Sequence, residues 1–259
     1  MTAVTLHSRI IGVEKTKDLV ILHGLLGSAD NWHTLARQYA LEFRVHLIDA
    51  RNHGRSPHSQ DHSYELMASD LLKYLDDNSI EKACLLGHSM GGKTVMLFAE
   101  THPDRVSKLI VADISPKEYA PQHEPIFQAL KSTNPAIANS RKEVLSVLES
   151  KLGEDKVLIP FLMKNLRREK SGGYSWRFNL EVLSNTLSGI TKRIDLSVNT
   201  IPTLLIYGAL SGYVSSEDIS ELEELYLQME NVCLENSGHW LHAEEPKLFL
   251  ESTSEFLNS

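Results

Sequence analysis

Cysteine is scarce in this sequence, with only Cys84 and Cys233 among 259 residues, each inside a short apolar run. A disulfide framework is therefore not indicated. Neither thiol adjoins a helix start or a basic cluster that would activate it, so both read as packing residues. Long apolar runs are missing too. No segment reaches the roughly 18 to 20 apolar residues that a membrane span requires. Residues 1–18 mix polar and charged groups where a signal peptide would need a continuous apolar stretch. The expected compartment is the cytoplasm. Basic charge is also in deficit, with a formal net charge of -8. A general polyanion binder needs a basic surface, so nucleic acid is not an expected partner.

What is present is ordinary globular material, 42% hydrophobic and 23% charged, enough for one sizeable core. Short runs rich in Val, Ile and Leu recur at Leu19 to Leu22, Val45 to Ile48, Ala83 to Leu86, Leu109 to Ala112, Thr203 to Tyr207 and Val232 to Leu234. Runs apolar on both faces suit parallel strands covered by helices on each side. Val4 to Val13 could supply a first pair of strands. Amphipathic stretches lie between these runs, at Asn31 to Ala40, Tyr64 to Asp76, Gly91 to Thr101, Glu217 to Gln228 and Pro246 to Leu257. Strand and helix alternate, so the fold class is α/β with a mostly parallel, doubly wound sheet. The alternation breaks between Pro116 and Asp195, where the periodicity is helical and no strand is convincing. The expected organisation is a core of residues 1–115 and 196–259 with a helical cap, 116–195, inserted into it.

Gly87-His88-Ser89-Met90-Gly91 directly follows a strand candidate and opens a helix, the G-x-S-x-G pattern of a nucleophile elbow. Glycines suit the flanks because the turn is sharp and larger side chains would strike neighbouring backbone, leaving Ser89 to project. The helix behind it aims its N-terminal dipole at a developing oxyanion. The same stretch, Gly87 to Thr94, also satisfies the P-loop pattern G-x-x-x-x-G-K-[ST], with Asp113 as a conceivable magnesium-holding strand end. Two features favour hydrolysis over an NTPase. His23-Gly24-Leu25-Leu26-Gly27 follows a strand and can give an oxyanion hole its backbone N–H, while Gly238-His239-Trp240 follows the last strand and supplies a general base. Lys93 is then an ordinary helix residue.

A serine hydrolase orients its histidine with a carboxylate. The loop after the next-to-last strand, Gly208 to Tyr213, has no acid where the common pattern would put one. Asp113 is the better candidate, because it ends its strand on the same sheet edge as Ser89. Asp218 and Asp195 remain alternatives that need unusual geometry.

Residues 23–28, 49–56, 87–93 and 111–116, with Tyr174 to Leu180 and Gly238 to Trp240, together resemble the α/β-hydrolase superfamily. Within it they are similar to the branch containing the bacterial esterase YbfF and abhydrolase domain-containing protein 11. The resemblance covers nearly the whole chain. It implies an α/β-hydrolase core with a helical cap, Ser89 as nucleophile, His239 as base, Asp113 as acid, and oxyanion N–H groups from Leu25 and Met90. It also makes Lys93 part of the family pattern.

The expected activity is hydrolysis of short- to medium-chain carboxylic esters through an acyl-enzyme, with acyl-CoA thioesters as a second substrate class. The expected partner is thus a small-molecule ester or thioester. No cofactor and no metal are expected: His242 lies three residues after His239, but no further ligand spacing completes a site. His23, His53 and His88 read as structural. Phe127, Leu130, Phe161, Leu162 and Trp176 are candidates for an acyl pocket, although helical spacing more often means core. Lys164, Arg167, Arg168 and Lys170 form a local basic cluster, either a coenzyme A dock or a solvated face. A non-catalytic ligand receptor built on the same fold is the alternative from another class.

Overall fold

The computed structural model describes residues 2–259. The chain runs β1 (Ser8–Ile11), β2 (Asp18–Leu22), α1 (His33–Tyr39), β3 (Arg44–Ile48), α2 (Tyr64–Asp77), β4 (Ala83–His88), α3 (Met90–Thr101) and β5 (Val106–Ala112). An intervening segment holds α4 (Glu124–Ser132), α5 (Arg141–Leu152), α6 (Leu158–Lys164), β6 (Leu166–Arg168), β7 (Tyr174–Trp176), α7 (Leu180–Asn185) and α8 (Leu187–Thr191). The chain then closes with β8 (Thr203–Gly208), α9 (Ser216–Leu225), β9 (Met229–Leu234), α10 (Leu241–Glu244) and α11 (Pro246–Asn258). Seven strands form one sheet in the order β1-β3-β2-β4-β5-β8-β9. Only β1 is antiparallel to its neighbour; the other pairs are parallel.

The parallel strands are buried on both faces because each face feeds a different core layer. Leu19 and Ile21 of β2 join Leu86, Ile110 and Ile206 against α1 and α11. Val20 and Leu22, offset by one residue, join Leu85, Leu109, Val111 and Leu205 against α2 and α3. The period-2 alternation of strand side chains thus splits continuous apolar runs between two helical layers. Pro246 occupies the first turn of α11, where its missing N–H costs no helical bond.

Three sequence readings are corrected. The stretch Val4 to Val13 yields one strand, β1, paired with β3 instead of a local hairpin partner. The 116–195 segment is not wholly helical: β6 and β7 pair antiparallel, Leu166 against Trp176 and Arg168 against Tyr174. Strands of three residues are too short for alternation to show in the sequence. Their turn uses Gly172 and Gly173 at φ +99° and +71°, and a Cβ on Gly173 would come within 2.1 Å of the Ala136 carbonyl oxygen. The third correction concerns Lys93, which is buried. Its Nζ donates to the carbonyls of Lys117 (2.6 Å) and Lys192 (2.5 Å), one on each chain passage between the sheet and the intervening segment. Those passages also bond to each other, Tyr119 N–H to Thr191 O at 2.8 Å and Ile194 N–H to Pro116 O at 2.9 Å. Among the described residues no helix is long and apolar enough to cross a membrane.

Candidate active site

Ser89 sits between β4 and α3 at φ +53°, ψ -117°, a conformation L-residues rarely adopt. The turn is tight enough to dictate its neighbours. A Cβ on Gly87 would lie 2.2 Å from Gly91 O, and one on Gly91 would lie 2.4 Å from Leu22 O. The Ser89 N–H is anchored on Ala112 O of β5 at 3.1 Å, which ties the turn to the strand that Asp113 ends.

Asp113 is fully buried and also left-handed, at φ +50°. Its Oδ2 accepts from His239 Nδ1 at 2.6 Å, its Oδ1 accepts from the Gly208 N–H at 3.1 Å, and the Ser211 hydroxyl donates to Oδ2. The structure therefore brings Asp113 to His239 and leaves the alternatives elsewhere. Asp218 is engaged by Lys117 and by Ser115 (3.0 Å), and the Asp195 side chain is exposed. Ser211, in the loop where an acid was sought, serves the acid instead of replacing it.

Two further groups hold His239. The ring of Tyr213 stacks on its imidazole, with centroids 3.8 Å apart and planes 13° from parallel. His88 Nε2 donates to the His239 carbonyl at 2.8 Å. Burial, and then the adjacent His239 and His242 rings, hold His88 well below the usual imidazole range, so it serves as a neutral donor. His242 stacks on Trp32 at 4.3 Å, and burial lowers it to about 3. Tyr213 is one residue the sequence does not mark; nothing in Gly208 to Tyr213 shows an aromatic facing a histidine 26 positions on.

On the other side of Ser89 lies the loop of residues 23–28. His23 Nδ1 donates to Gly24 O at 2.8 Å while its Nε2 accepts the Ala50 N–H at 3.1 Å, and Gly27 N–H also reaches Gly24 O at 3.0 Å. His53 Nε2 accepts the Leu26 N–H at 3.1 Å, with Leu26 at φ +61°. The N–H groups of Leu25 and Met90 have no acceptor among the described backbone and side-chain hydrogen bonds. Leu25 and Ser89 line the same cavity, and Met90 N is the first amide of α3.

That cavity is about 200 Å³. Ser89 and His239 both line it, although the described hydrogen bonds include none between them; such bonds are often long before substrate binds. Its apolar wall comes from Leu26, Ile126, Leu158, Phe161 and Trp240. Of the five side chains nominated from sequence only Phe161 lines it; Phe127, Leu130, Leu162 and Trp176 pack in the core. Lys164, Arg167, Arg168 and Lys170 are all exposed and none lines the cavity. Arg167 bonds Glu169 at 2.8 Å. The phosphate-loop reading also fails on geometry, because Lys93 points to the two carbonyls behind α3 and buried Thr94 donates to Met90 O. Neither is placed to meet a phosphate.

The α/β hydrolase fold family matches residues 18–246. The chain belongs to the α/β-hydrolase family. Among α/β-hydrolases, it is 35% identical to esterase YbfF of Escherichia coli, across 93% of this chain and 92% of that protein. It is 38% identical to the sn-1-specific diacylglycerol lipase ABHD11 of Mus musculus, across 92% and 80% of the two chains. A solved α/β-hydrolase described as a marine microorganism esterase superposes with a TM-score of 0.94, at 41% identity, covering 98% of this chain and all of that one.

Proposed function

We propose that the chain is a serine esterase acting on short- to medium-chain carboxylic esters through Ser89, His239 and Asp113. The observation that carries the reading is that the strained serine and the Asp113-bonded histidine face one small apolar cavity. In this mechanism His239 Nε2 takes the Ser89 proton, and Oγ attacks the acyl carbonyl. Asp113 fixes the tautomer through Nδ1–H and stabilises the imidazolium. The oxyanion is held by the N–H groups of Leu25 and Met90, each worth about 3 kcal/mol in the transition state. Collapse expels the alcohol, which takes its proton from His239; water, activated by the same ring, then frees Ser89 as the acid departs. Every step is served by this chain's own residues, with no cofactor or metal drawn in.

The names of the relatives, esterases and a diacylglycerol lipase, support ester substrates. The cavity volume supports acyl groups of a few carbons at the reacting end. In the same reading residues 116–195 act as the cap, since α4 and α6 contribute Ile126, Leu158 and Phe161 to the wall. Coenzyme A docking loses its support, because the basic cluster lies outside the cavity. The test is hydrolysis of p-nitrophenyl acetate to octanoate by the wild type and Ser89→Ala. Loss of turnover and of fluorophosphonate labelling in the variant is expected. Wild type that binds these esters without releasing p-nitrophenol would mean a receptor instead, and turnover by Ser89→Ala would remove Ser89 as nucleophile.

A further inference from the structure

Asn165 is fully buried at the end of α6, yet its Oδ1 has no hydrogen-bond partner among the described residues. Its Nδ2 donates to Leu26 O at 2.9 Å and reaches Phe161 O at 3.4 Å. Because both neighbours are carbonyls, the amide can satisfy only its NH2 side here. A buried acceptor left unpaired costs about 1–3 kcal/mol, which offsets the gain from pairing the Leu26 carbonyl, so stability alone gives little reason for an amide at this position. What lies beyond Leu26 does.

The Leu26 carbonyl that receives Asn165 belongs to the same peptide as the Gly27 N–H, which donates to Gly24 O at 3.0 Å. The Gly24 carbonyl belongs to the same peptide as the Leu25 N–H. Three dipoles therefore run head to tail: the Asn165 amide, the Leu26–Gly27 peptide and the Gly24–Leu25 peptide. The last of them carries the N–H assigned to the oxyanion. Hydrogen-bonded chains of this kind polarise one another, and each link restrains the orientation of the next. A Cβ on Gly27 would lie 2.8 Å from Gly24 O, so a glycine keeps the middle link close. Leu26 itself is held left-handed between two grips, its N–H on His53 and its carbonyl on Asn165. A parallel grip lies alongside: the Asn179 N–H donates to Asn52 O at 2.8 Å, and Asn52 is likewise left-handed at φ +64°.

We propose that Asn165 is a positioning residue for the oxyanion hole, aligning the Leu25 N–H through the Leu26–Gly27 peptide, so that the 116–195 segment contributes to transition-state stabilisation. The proposal rests on the reading of Leu25 as an oxyanion donor.

The test compares Asn165→Leu, which keeps approximate shape but loses the donor, with Asn165→Ala and with Arg177→Ala. Arg177 bonds Asp30 at 3.0 Å, a contact between the segment and the sheet domain outside the dipole chain. Asn165→Leu removes the unpaired Oδ1 but also takes the donor from the Leu26 carbonyl, so its melting temperature is expected to stay close to that of the wild type. Its kcat on p-nitrophenyl butyrate should fall about tenfold with KM within twofold. Affinity for a trifluoromethyl ketone, whose hemiketal oxyanion occupies the hole, should fall by the same factor. Arg177→Ala should leave both unchanged. If Asn165→Leu does not fold, Asn165→Ala is read in the same way. Unchanged kcat and ketone affinity, or a loss confined to KM, overturns the proposal. Ser89→Ala separates the two levels: turnover in that variant overturns the esterase reading itself, whereas an inert Ser89→Ala beside a fully active Asn165→Leu overturns this inference alone.

Discussion

Within the site, the histidine is constrained on more sides than the serine. His239 is bonded to Asp113 at Nδ1, stacked by Tyr213 on one face and held by His88 through its backbone. An aromatic face against an imidazole becomes more attractive when the ring turns cationic, by about 0.5–2 kcal/mol. Tyr213→Leu is therefore expected to lower kcat about three- to tenfold in steady-state assays, whereas Tyr213→Phe retains the face and stays within twofold of wild type. Equal losses in both would point to the hydroxyl, which lies 3.3 Å from His123 Nε2. Asp113→Asn should cost about 10³ to 10⁴ in kcat, by offering Nδ1 the wrong tautomeric partner. Ser211→Ala should cost no more than about tenfold, since the Gly208 N–H and His239 remain on the carboxylate. A loss as large as that of Asp113→Asn would make Ser211 an equal member of the group. Ser89, His239 and Asp113 were nominated from sequence because their cues are local, each following a strand end. Tyr213, Ser211 and Asn165 carry no such cue; what they do depends on partners 26, 98 and 139 positions away in the chain.

At the level of elements, α3 has Ser89, the proposed nucleophile, at its N-cap and Lys93 one turn later. Through Lys93 the same helix holds both passages into the 116–195 segment. Lys93→Met takes the donor from two part-buried carbonyls, a loss of about 1 kcal/mol each. The expected outcome is a lower urea midpoint together with faster hydrogen exchange at the Tyr119 and Ile194 amides, which bridge the passages. Exchange at wild-type rates would show that the lysine does not hold them. Burial, with Arg193 nearby, brings the Lys93 amine down to about 8 from 10.5. Between those two values the unfolded chain keeps a proton that the folded chain has released, so folded stability rises with pH. The stability difference between wild type and Lys93→Met should accordingly grow in favour of wild type from about pH 8 to 10.5. A neutral amine still has two N–H groups, enough for both carbonyls. The strands and long helices could be read from periodicity because they span several repeats. The hairpin β6–β7 could not, and Lys93 reads as an ordinary helix residue because its partners lie 24 and 99 positions away.

Across the whole molecule, histidine is used mostly as a neutral packing and hydrogen-bonding group. His62 and His242 are buried and burial lowers each to about 3; His123 is lowered to about 4 for the same reason, and His23, His53 and His88 shift in the same direction. For each, the unfolded chain binds a proton below about pH 6.5 that the folded chain refuses until its own lower value. Stability is thus full above 6.5 and lost as pH falls, by about 1.4 kcal/mol per pH unit for each such group. Urea midpoints should drop between pH 6.5 and 4, and His242→Phe, which preserves the stack on Trp32, should flatten the slope. A flat wild-type profile would contradict the buried neutral assignment. One further consequence follows from the bonds of Tyr119 to Thr191 and of Ile194 to Pro116. They bring the two ends of a long excursion side by side, so a short turn can bridge the gap left by excising it. The excursion is in that sense a cassette, exchangeable between related chains with its wall residues aboard. A graft brings its own two carbonyls to Lys93, and under the proposal for Asn165 it must also bring an amide to the Leu26 carbonyl.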